Sequence, residues 1–385
     1  MNLDGFSYEQ GPIRPPSEAA SLLIRATRNC PWNRCAFCHC YRGSAFELRP
    51  VEEIKKDIDT VRNSTDELRE ISWKLGEGGR ISKVVLAHLW RNEHLYGTSV
   101  RTIAAWLYYG GESVFLQDAN SIIMKTADIA AVLRYIRERL PTVTRITSYG
   151  RSKTAAKKSV EEYRVLREAG LTRIHIGLES GGDRILAFMN KGVTAADHIE
   201  GGKRIVESGI SLSEYIMPGL GGSRWTEEHA RETARVINAI NPDFVRIRSL
   251  QVAPGTALSR FVEEKRFEML SDDGVVKEIR LFIECLDGVE STIVSDHILN
   301  LLEEVEGTMP ADREKMCAVI DRYLALPEVD REVFRLGRRR GMFSRLDDLE
   351  EDLTRGMLRR VVDTYRENDP GGLERDLRRI MEHYI

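Results

Sequence analysis

Four of the six cysteines in this chain fall within eleven residues, as Cys30, Cys35, Cys38 and Cys40. Thiolates this close together on one loop suit a soft metal ion or an iron–sulfur cluster. An electron-transfer [4Fe–4S] centre uses four protein thiolates. A set of three leaves one iron open to a small molecule, much as a catalytic zinc keeps an open position. The loop therefore predicts a metal or cluster site.

A structural zinc site is the alternative interpretation of the same loop. Such a site uses four ligands, normally as two separated pairs, and Cys35 and Cys38 supply only one pair. Cys30, His39 and Cys40 could complete a local site, but five candidate ligands on so short a segment favour poor tetrahedral geometry. The residues alone favour a cluster and leave zinc open.

The composition is that of an ordinary globular protein, with 385 residues, 42% hydrophobic and 30% charged, and a net charge of −3. This charge balance gives no indication of a nucleic-acid or membrane-surface partner. No signal peptide is visible, and no apolar run approaches the ~18 residues of a membrane span. We therefore expect a cytoplasmic protein, in which disulfides are rare.

Strands and helices alternate through the first two thirds of the sequence. Helices that end at Gly170, Gly209 and Asn241-Pro242 precede three of the predicted strands, as helix C-cap chemistry requires. Such alternation implies parallel strands joined by crossover helices. The predicted strands lie at 21–26, 114–116, 145–148, 173–178, 212–217 and 244–250. Six units predict an α/β fold, a partial (β/α)6 TIM-like barrel.

Two further segments lie outside this rhythm. About seventy residues separate the cysteine loop from the second strand, more than a usual βα loop, and helical spacing at 50–63, 65–75 and 82–109 predicts a helical insertion over about 50–110. After residue 258 the pattern is helical and charged. We therefore predict a barrel domain at 1–258 and a helical C-terminal extension at 259–385.

With Phe37 just before its last cysteine, the loop resembles that of the radical S-adenosylmethionine (SAM) superfamily, with one extra residue between Cys30 and Cys35. The likeness extends over roughly 20–258. It is closest to the branch that contains oxygen-independent coproporphyrinogen oxidase and the core domains of methylthiotransferases. The segments that carry it are GLESG at 177–181, MNKG at 189–192, IMPGLGG at 216–222 and PGT at 254–256.

This resemblance implies that Cys30, Cys35 and Cys38 bind a [4Fe–4S] cluster, with Cys40 a spare thiol. It also implies reductive cleavage of SAM to a 5′-deoxyadenosyl radical, which abstracts hydrogen from an unidentified, small-molecule substrate. Activity would be anaerobic and would need an electron donor such as flavodoxin or ferredoxin. The alternative is a non-catalytic iron–sulfur or haem carrier or chaperone on the same fold.

Polar residues at the predicted strand ends are the candidate ligands of SAM, since parallel βα folds bind ligands at that edge. Asp118 could accept a hydrogen bond from the cofactor's ammonium or form an Asx-turn. Arg151 could bind a carboxylate or form a structural salt bridge. Arg246 and Arg248, two residues apart, should share one face of the sixth strand. The predicted cofactor-binding residues are Phe37, Gln117, Asp118, Asn120, Ser148, Arg151, Glu179, Glu214, Tyr215, Met217 and Arg248.

The pair Asp296-His297 lies in an otherwise apolar stretch, beside Ser295 and Asn300. We predict Asp296 and His297 as catalytic residues on the substrate side, since such a pair suits general acid chemistry. Helix capping by Ser295 or Asp296 is the structural alternative.

Overall fold

The computed structural model describes residues 6–382 and 384, and the strands within them form two sheets. The strands are β1 (Leu22–Arg25), β2 (Thr27–Arg28), β3 (Glu47–Leu48), β4 (Ser113–Gln117), β5 (Arg145–Gly150), β6 (Leu171–Glu179), β7 (Ser211–Ile216), β8 (Phe244–Ile247), β9 (Thr292–Val294) and β10 (Gly307–Thr308). The main sheet has the order β1-β4-β5-β6-β7-β8-β9-β10, and β2 pairs with β3.

Helices connect most of these strands and make up most of the chain after residue 258. They are α1 (Val51–Lys74), α2 (Lys83–Arg91), α3 (Thr98–Tyr108), α4 (Thr126–Arg139), α5 (Ser152–Ala155), α6 (Val160–Ala169), α7 (Asp183–Phe188), α8 (Ala195–Ser208), α9 (Thr226–Ile240), α10 (Ala257–Glu263), α11 (Asp272–Glu284), α12 (Arg313–Ala325), α13 (Glu328–Arg339), α14 (Asp352–Asn368) and α15 (Gly372–Glu382).

The main sheet confirms the predicted α/β class and the partial TIM-like arrangement. The pairs β1–β4, β4–β5, β5–β6, β7–β8 and β8–β9 are parallel, and β9–β10 is antiparallel. Strands with both faces covered are nearly continuous apolar runs, and residues 22–24 and 114–116 are fully or almost fully buried. Four strands are absent from the sequence prediction, β2 and β3 of the small sheet and β9 and β10 of the main sheet. They have two or three residues each, too few to give a periodic signal.

Local chemistry explains where the helices end. Ser159 and Glu162 form a reciprocal capping box at the start of α6, and Gly170 ends that helix at φ +121°. Asn241 ends α9 in the left-handed region, and Pro242 cannot continue the helix. Each helix then leads directly into the next strand.

The insertion differs in detail from its prediction. The stretches 50–63 and 65–75 form one continuous helix, α1. The hydroxyls of Ser64 and Thr65 donate to the carbonyls of Thr60 and Val61 within it, and the helix is not interrupted there. The stretch 82–109 instead divides into α2 and α3. The helical character of the insertion is as predicted.

The chain forms two compact units. Unit 1 contains Met1–Asn33, Cys40–Ile176 and Arg204–Leu212, and unit 2 contains Arg34–His39, Gly177–Lys203 and Ser213–Ile385. The domain boundary predicted at residue 258 stays a prediction. None of the helices among residues 6–382 combines the length and apolar character needed to cross a bilayer.

Candidate functional site

The cysteine loop begins and ends in a small antiparallel sheet of unit 1. Strands β2 and β3 pair Arg28 with Glu47, and the guanidinium of Arg28 lies 2.6 Å from the Glu47 carboxylate. This pairing brings the two ends of segment 29–46 together. The loop is therefore closed at its base by backbone hydrogen bonds and an ion pair.

Two asparagines in the left-handed region shape the start of the loop around Cys30. Asn29 has φ +65° and donates from its side-chain amide to the Ala45 carbonyl at 2.6 Å. Asn33 has φ +49°, and its backbone N–H donates to Cys30 Sγ at 3.4 Å. Asparagine tolerates this backbone conformation better than most residues. Both residues thus fix the chain on either side of the first thiol.

Asp118, at the end of β4, is fully buried and anchors the same segment. Its Oδ2 accepts from two nitrogens of Arg25, at 2.8 and 2.6 Å, and from the backbone N–H of Asn29 at 3.1 Å. A carboxylate held by a guanidinium and a backbone N–H is a strong, charge-assisted arrangement. Asp118 therefore connects β1, β4 and the start of the cysteine loop. Its predicted contact with the cofactor's ammonium stays a prediction.

Gln117 and Asn120, which flank this carboxylate, are buried and have structural partners. The Gln117 amide accepts from the N–H of Gly11 at 2.7 Å and donates to the carbonyls of Gly11 and Ile13. The Asn120 amide donates to Thr154 Oγ1 at 2.8 Å and accepts from the Arg151 N–H at 3.0 Å. We therefore leave both residues out of the proposed cofactor contacts.

The end of β5 carries two other predicted residues. Ser148 is buried and donates to the Tyr149 carbonyl at 3.1 Å. The Arg151 guanidinium lies over the ring of Trp32, a cysteine-loop residue, at 5.5 Å from the centroid. This cation–π contact associates Arg151 with the loop.

The second half of the cysteine loop belongs to unit 2. The Cys38 N–H donates to the Cys35 carbonyl at 3.2 Å, which forms a turn between the two thiols. Within that turn, the Ala36 N–H donates to the Met189 carbonyl at 2.8 Å, and the Ala36 carbonyl accepts from Leu258 at 2.9 Å. Ala36, Met189 and Leu258 also share one buried apolar cluster. The turn is thus held by backbone hydrogen bonds and by the packing of Ala36.

Glu179 and Lys191 form an ion pair at the end of β6, with 3.0 Å between Oε1 and Nζ. Only about an eighth of either side chain is exposed. Gly177 makes room for this pair, because a Cβ there would lie 2.3 Å from Glu179 Oε1. The Lys191 ammonium also lies over the ring of Phe37, at 5.7 Å from its centroid. This contact associates the pair with the predicted aromatic of the cysteine loop.

Glu214, within β7, is fully buried, and neither of its carboxylate oxygens accepts a hydrogen bond from a described residue. Burial and the neighbouring Glu179 carboxylate raise the pKa of Glu214 well above its ordinary value, while Lys191 opposes the shift. Tyr215 and Met217 follow and are also buried. A buried carboxylate without a partner is costly, so the role of Glu214 in binding the cofactor stays a prediction that this burial makes physically reasonable.

The predicted substrate-side residues lie at the ends of β8 and β9. Arg246 is buried, and it donates to Asp296 at 2.9 Å and to Ser213 Oγ at 3.2 Å. Arg248 is exposed and lies beyond the end of β8, so the predicted shared face for the two arginines is wrong. Strand alternation applies only while the strand continues.

His297 Nδ1 accepts from the Leu299 N–H at 3.2 Å, which makes Nε2 the protonated nitrogen of a neutral ring. Burial, followed by the charge of Arg248, lowers the pKa of His297 to about 4. The ring is therefore neutral near pH 7. Ser295 and Asn300 form hydrogen bonds with the backbone of Leu302 and Ile247 and position this segment.

Comparison with known families places this site in context. Residues 96–237 match the model of the radical SAM superfamily. In this segment the chain is similar to radical SAM proteins. The match begins after the cysteine loop, so it does not include Cys30, Cys35 or Cys38.

The curated relatives include tRNA-2-methylthio-N(6)-dimethylallyladenosine synthases. The protein from Nitrosomonas europaea is 33% identical over 138 residues, which are 34% of this chain and 30% of the relative. The protein from Christiangramia forsetii is 23% identical over 257 residues, which are 66% of this chain and 47% of the relative. The chain thus spans less than half the length of these two relatives. Among solved structures, coproporphyrinogen III oxidase from Escherichia coli is 14% identical, with a TM-score of 0.42 over 73% of this chain and 55% of that chain.

Radical SAM proteins use a [4Fe–4S] cluster together with SAM, and the residues of this chain fit both groups. All six cysteines lie within the described residues and are thiols outside any disulfide, and Cys30, Cys35 and Cys38 are partly exposed. Soft thiolates suit iron–sulfur ligation. The two unpartnered oxygens of Glu214 fit a ligand that brings hydrogen-bond donors or a positive charge.

Sequence reasoning missed several residues that position this site. Asn29 and Asn33 are residues of a type that tolerates left-handed backbone, but their hydrogen bonds to Ala45 and Cys30 depend on the conformation of the loop. Lys191 lies in one of the segments that carry the family resemblance and was not assigned a role. His229, described below, gave no signal because a single histidine on a helix has no diagnostic spacing.

Proposed function

We propose that this chain is a radical SAM enzyme that reductively cleaves SAM to a 5′-deoxyadenosyl radical and uses it to abstract hydrogen from a small-molecule substrate. The observation that carries the proposal is the cysteine loop. Its backbone is fixed by Asn29, Asn33 and Ala36, while its three predicted ligands remain partly exposed thiols. A backbone held in this way, with partly exposed thiols on it, suits a site for a catalytic cluster better than a structural core.

Cys30, Cys35 and Cys38 would hold the cluster, and Cys40 would stay a spare thiol. The reduced cluster would supply the one electron that splits bound SAM into methionine and the 5′-deoxyadenosyl radical. The Asn33 N–H, which donates to Cys30 Sγ, would stabilise the thiolate form of that ligand. The Asp118–Arg25 pair would keep the loop in register with β1 and β4.

Glu179, Lys191 and Glu214 would form the part of the site that binds SAM. The unpartnered Glu214 carboxylate suits the cofactor's ammonium or ribose hydroxyls, because either would supply the donors that it lacks in the protein. The Glu179–Lys191 pair presents one charge of each sign beside it. Phe37, Tyr215 and Met217 would supply apolar surface, and Ser148 and Arg151 would bind the remaining polar groups.

Arg248, Asp296 and His297 would face the substrate. Asp296 is paired with Arg246, so it is better suited to binding than to proton donation. The neutral His297 ring would donate a hydrogen bond from Nε2. A reducing compartment such as the cytoplasm suits the six thiols, and a flavodoxin or ferredoxin would supply the electron.

The test is anaerobic reconstitution with iron and sulfide, reduction with dithionite and measurement of 5′-deoxyadenosine formed from SAM. Cys30→Ala, Cys35→Ala and Cys38→Ala should each abolish the product and lower the iron content, whereas Cys40→Ala, the matched control, should retain both. A protein that holds the cluster without cleaving SAM would indicate a carrier. Colourless protein with one zinc ion per chain would overturn the proposal.

A further inference from the structure

A buried histidine in unit 2 connects helices α9 and α11 to the end of β6. His229 Nδ1 lies 2.8 Å from Glu278 Oε1, and His229 Nε2 lies 3.1 Å from the Glu179 carbonyl oxygen. Glu278 also accepts from the Gly219 N–H at 2.7 Å and from the Thr226 hydroxyl at 2.6 Å. The histidine thus joins a hydrogen-bonded carboxylate to the backbone of a predicted cofactor residue.

The partners of His229 fix its protonation state. Both ring nitrogens face acceptors, so both must donate, and only the imidazolium has two N–H groups. The Gly219 N–H and the Thr226 hydroxyl also donate to Glu278, so its two oxygens act as acceptors. Burial lowers the pKa of His229, but Glu278 and the Glu179 carbonyl outweigh burial and raise it above the ordinary value. The pair is therefore an imidazolium and a carboxylate.

The peptide that His229 holds is strained. Glu179 has φ +65°, and the N–H of Ser180 donates to the carbonyl of Leu178 across it at 2.8 Å. This is a γ-turn with a positive-φ centre, a rare conformation for a residue with a side chain. Such a turn persists only where its surroundings hold it. Here the Glu179 carbonyl accepts from both His229 and the Met217 N–H, at 3.1 and 3.0 Å.

We propose that His229, held by Glu278, is a positioning residue that keeps Glu179 in this turn and so directs its carboxylate to Lys191. Glu278 acts on the neighbouring strand end as well, because it binds Gly219 in the turn that follows β7. The carbonyl of Glu179 and the turn after Met217 are thereby fixed by one buried ion pair. The effect on SAM binding rests on the proposed function, whereas the effect on the backbone does not.

Two substitutions and one control test this role. His229→Leu removes both donors, and His229→Gln keeps one amide donor in a similar volume. The control is His175→Gln in unit 1, which removes another buried histidine–glutamate pair, with 3.3 Å between His175 Nε2 and Glu18 Oε1. Because the control loses comparable chemistry, it separates positioning from general loss of stability.

The first readout is amide hydrogen exchange of the cofactor-free protein. In His229→Leu, exchange at Met217 and Gly219 should rise about tenfold, the size expected for loss of about 1.4 kcal/mol of local stability. His229→Gln should restore much of the protection, and His175→Gln should leave it unchanged. Wild-type exchange in His229→Leu at these two amides would overturn the proposal.

The second readout is SAM affinity and kinetics of the reconstituted enzyme. His229→Leu should raise the KM for SAM about tenfold while kcat changes less than about twofold, the signature of lost binding rather than lost chemistry. An unchanged KM in that variant would overturn the link to SAM. Wild-type protein that neither binds nor cleaves SAM would instead refute the proposed function, and hydrogen exchange would still decide the backbone role of His229.

Discussion

Glu214→Gln should make the cofactor-free protein more stable, and by an amount that grows with pH. Folding buries the Glu214 carboxylate without a hydrogen-bond partner, and this environment raises its pKa well above the ordinary value of 4.5. The folded state therefore holds the proton more tightly than the unfolded chain does. An amide of the same shape has no proton to hold and no charge to bury.

The size of the effect follows from proton linkage. Below pH 4.5 the carboxyl is protonated in both states and costs no ionisation energy. Above that pH the unfolded chain ionises and the folded state does not, so stability falls as pH rises through the window up to the raised folded pKa. The fall is about 1.4 kcal/mol per pH unit. Glu214→Gln removes this slope.

The assay is urea unfolding of anaerobic, cofactor-free protein at several values between pH 5 and pH 8. Glu278→Gln is the matched control, because it replaces a second buried glutamate in the same unit whose carboxylate accepts three hydrogen bonds. Breaking that buried pair should lower the free energy of unfolding by about 3–5 kcal/mol. Glu214→Gln should thus raise the free energy of unfolding, whereas the equally isosteric Glu278→Gln should lower it.

The same Glu214 variant should bind SAM more weakly. Loss of a hydrogen bond to a charged group costs about 1.5–3 kcal/mol, which corresponds to a tenfold or greater rise in Kd. A Glu214→Gln protein that is less stable than wild type at pH 8, or that keeps the wild-type pH slope, would refute this account of the buried carboxylate. Unchanged SAM affinity would remove Glu214 from the cofactor site.

Three other substitutions test separate parts of the site. Asp118→Asn should lower the free energy of unfolding by about 1.5–3 kcal/mol and reduce iron incorporation, because it weakens the hydrogen bonds to Arg25 and Asn29. An Asp118→Asn protein with the wild-type iron content would contradict the role of Asp118 in fixing the loop. Gly177→Ala should displace Glu179 from Lys191 and weaken SAM binding, since the new Cβ would lie 2.3 Å from the Glu179 carboxylate. The circular dichroism spectrum should stay unchanged. Wild-type SAM affinity in this variant would show that the Glu179–Lys191 pair adapts. The folded His297 ring resists protonation, so the wild-type protein should lose about 3 kcal/mol of folding free energy as pH falls from 6.5 to 4. His297→Gln should remove this loss. Parallel curves of unfolding free energy against pH for variant and wild type would show that another group is responsible.

The positions of six strands of the main sheet were accessible from sequence because they depend on local patterns. Apolar runs at 114–116 and 173–178 and helix-ending residues such as Gly170 and Asn241 are each encoded within a few positions. The four strands that sequence reasoning missed, β2, β3, β9 and β10, have only two or three residues each. Their pairing depends on strands already in place, so no local pattern announces them.

The candidate site was accessible only in part. The sequence by itself determined the cysteine loop, because thiols five and three residues apart must lie on one short segment whatever the fold. It also placed Asp118, Glu179 and Glu214 on or beside strands. It did not determine which of these polar groups have protein partners.

The tertiary structure decided that question, because hydrogen-bond partners are set by proximity between segments far apart in sequence. Gln117 is occupied by residues 11 and 13, and one oxygen of Asp118, Oδ2, is occupied by Arg25, whereas neither oxygen of Glu214 accepts a hydrogen bond from the described residues. His229 reaches the Glu179 carbonyl from fifty residues away. The cost of burying an unpaired charge depends on these contacts, so only the folded chain separates the carboxylate that anchors the loop from the one left for a ligand.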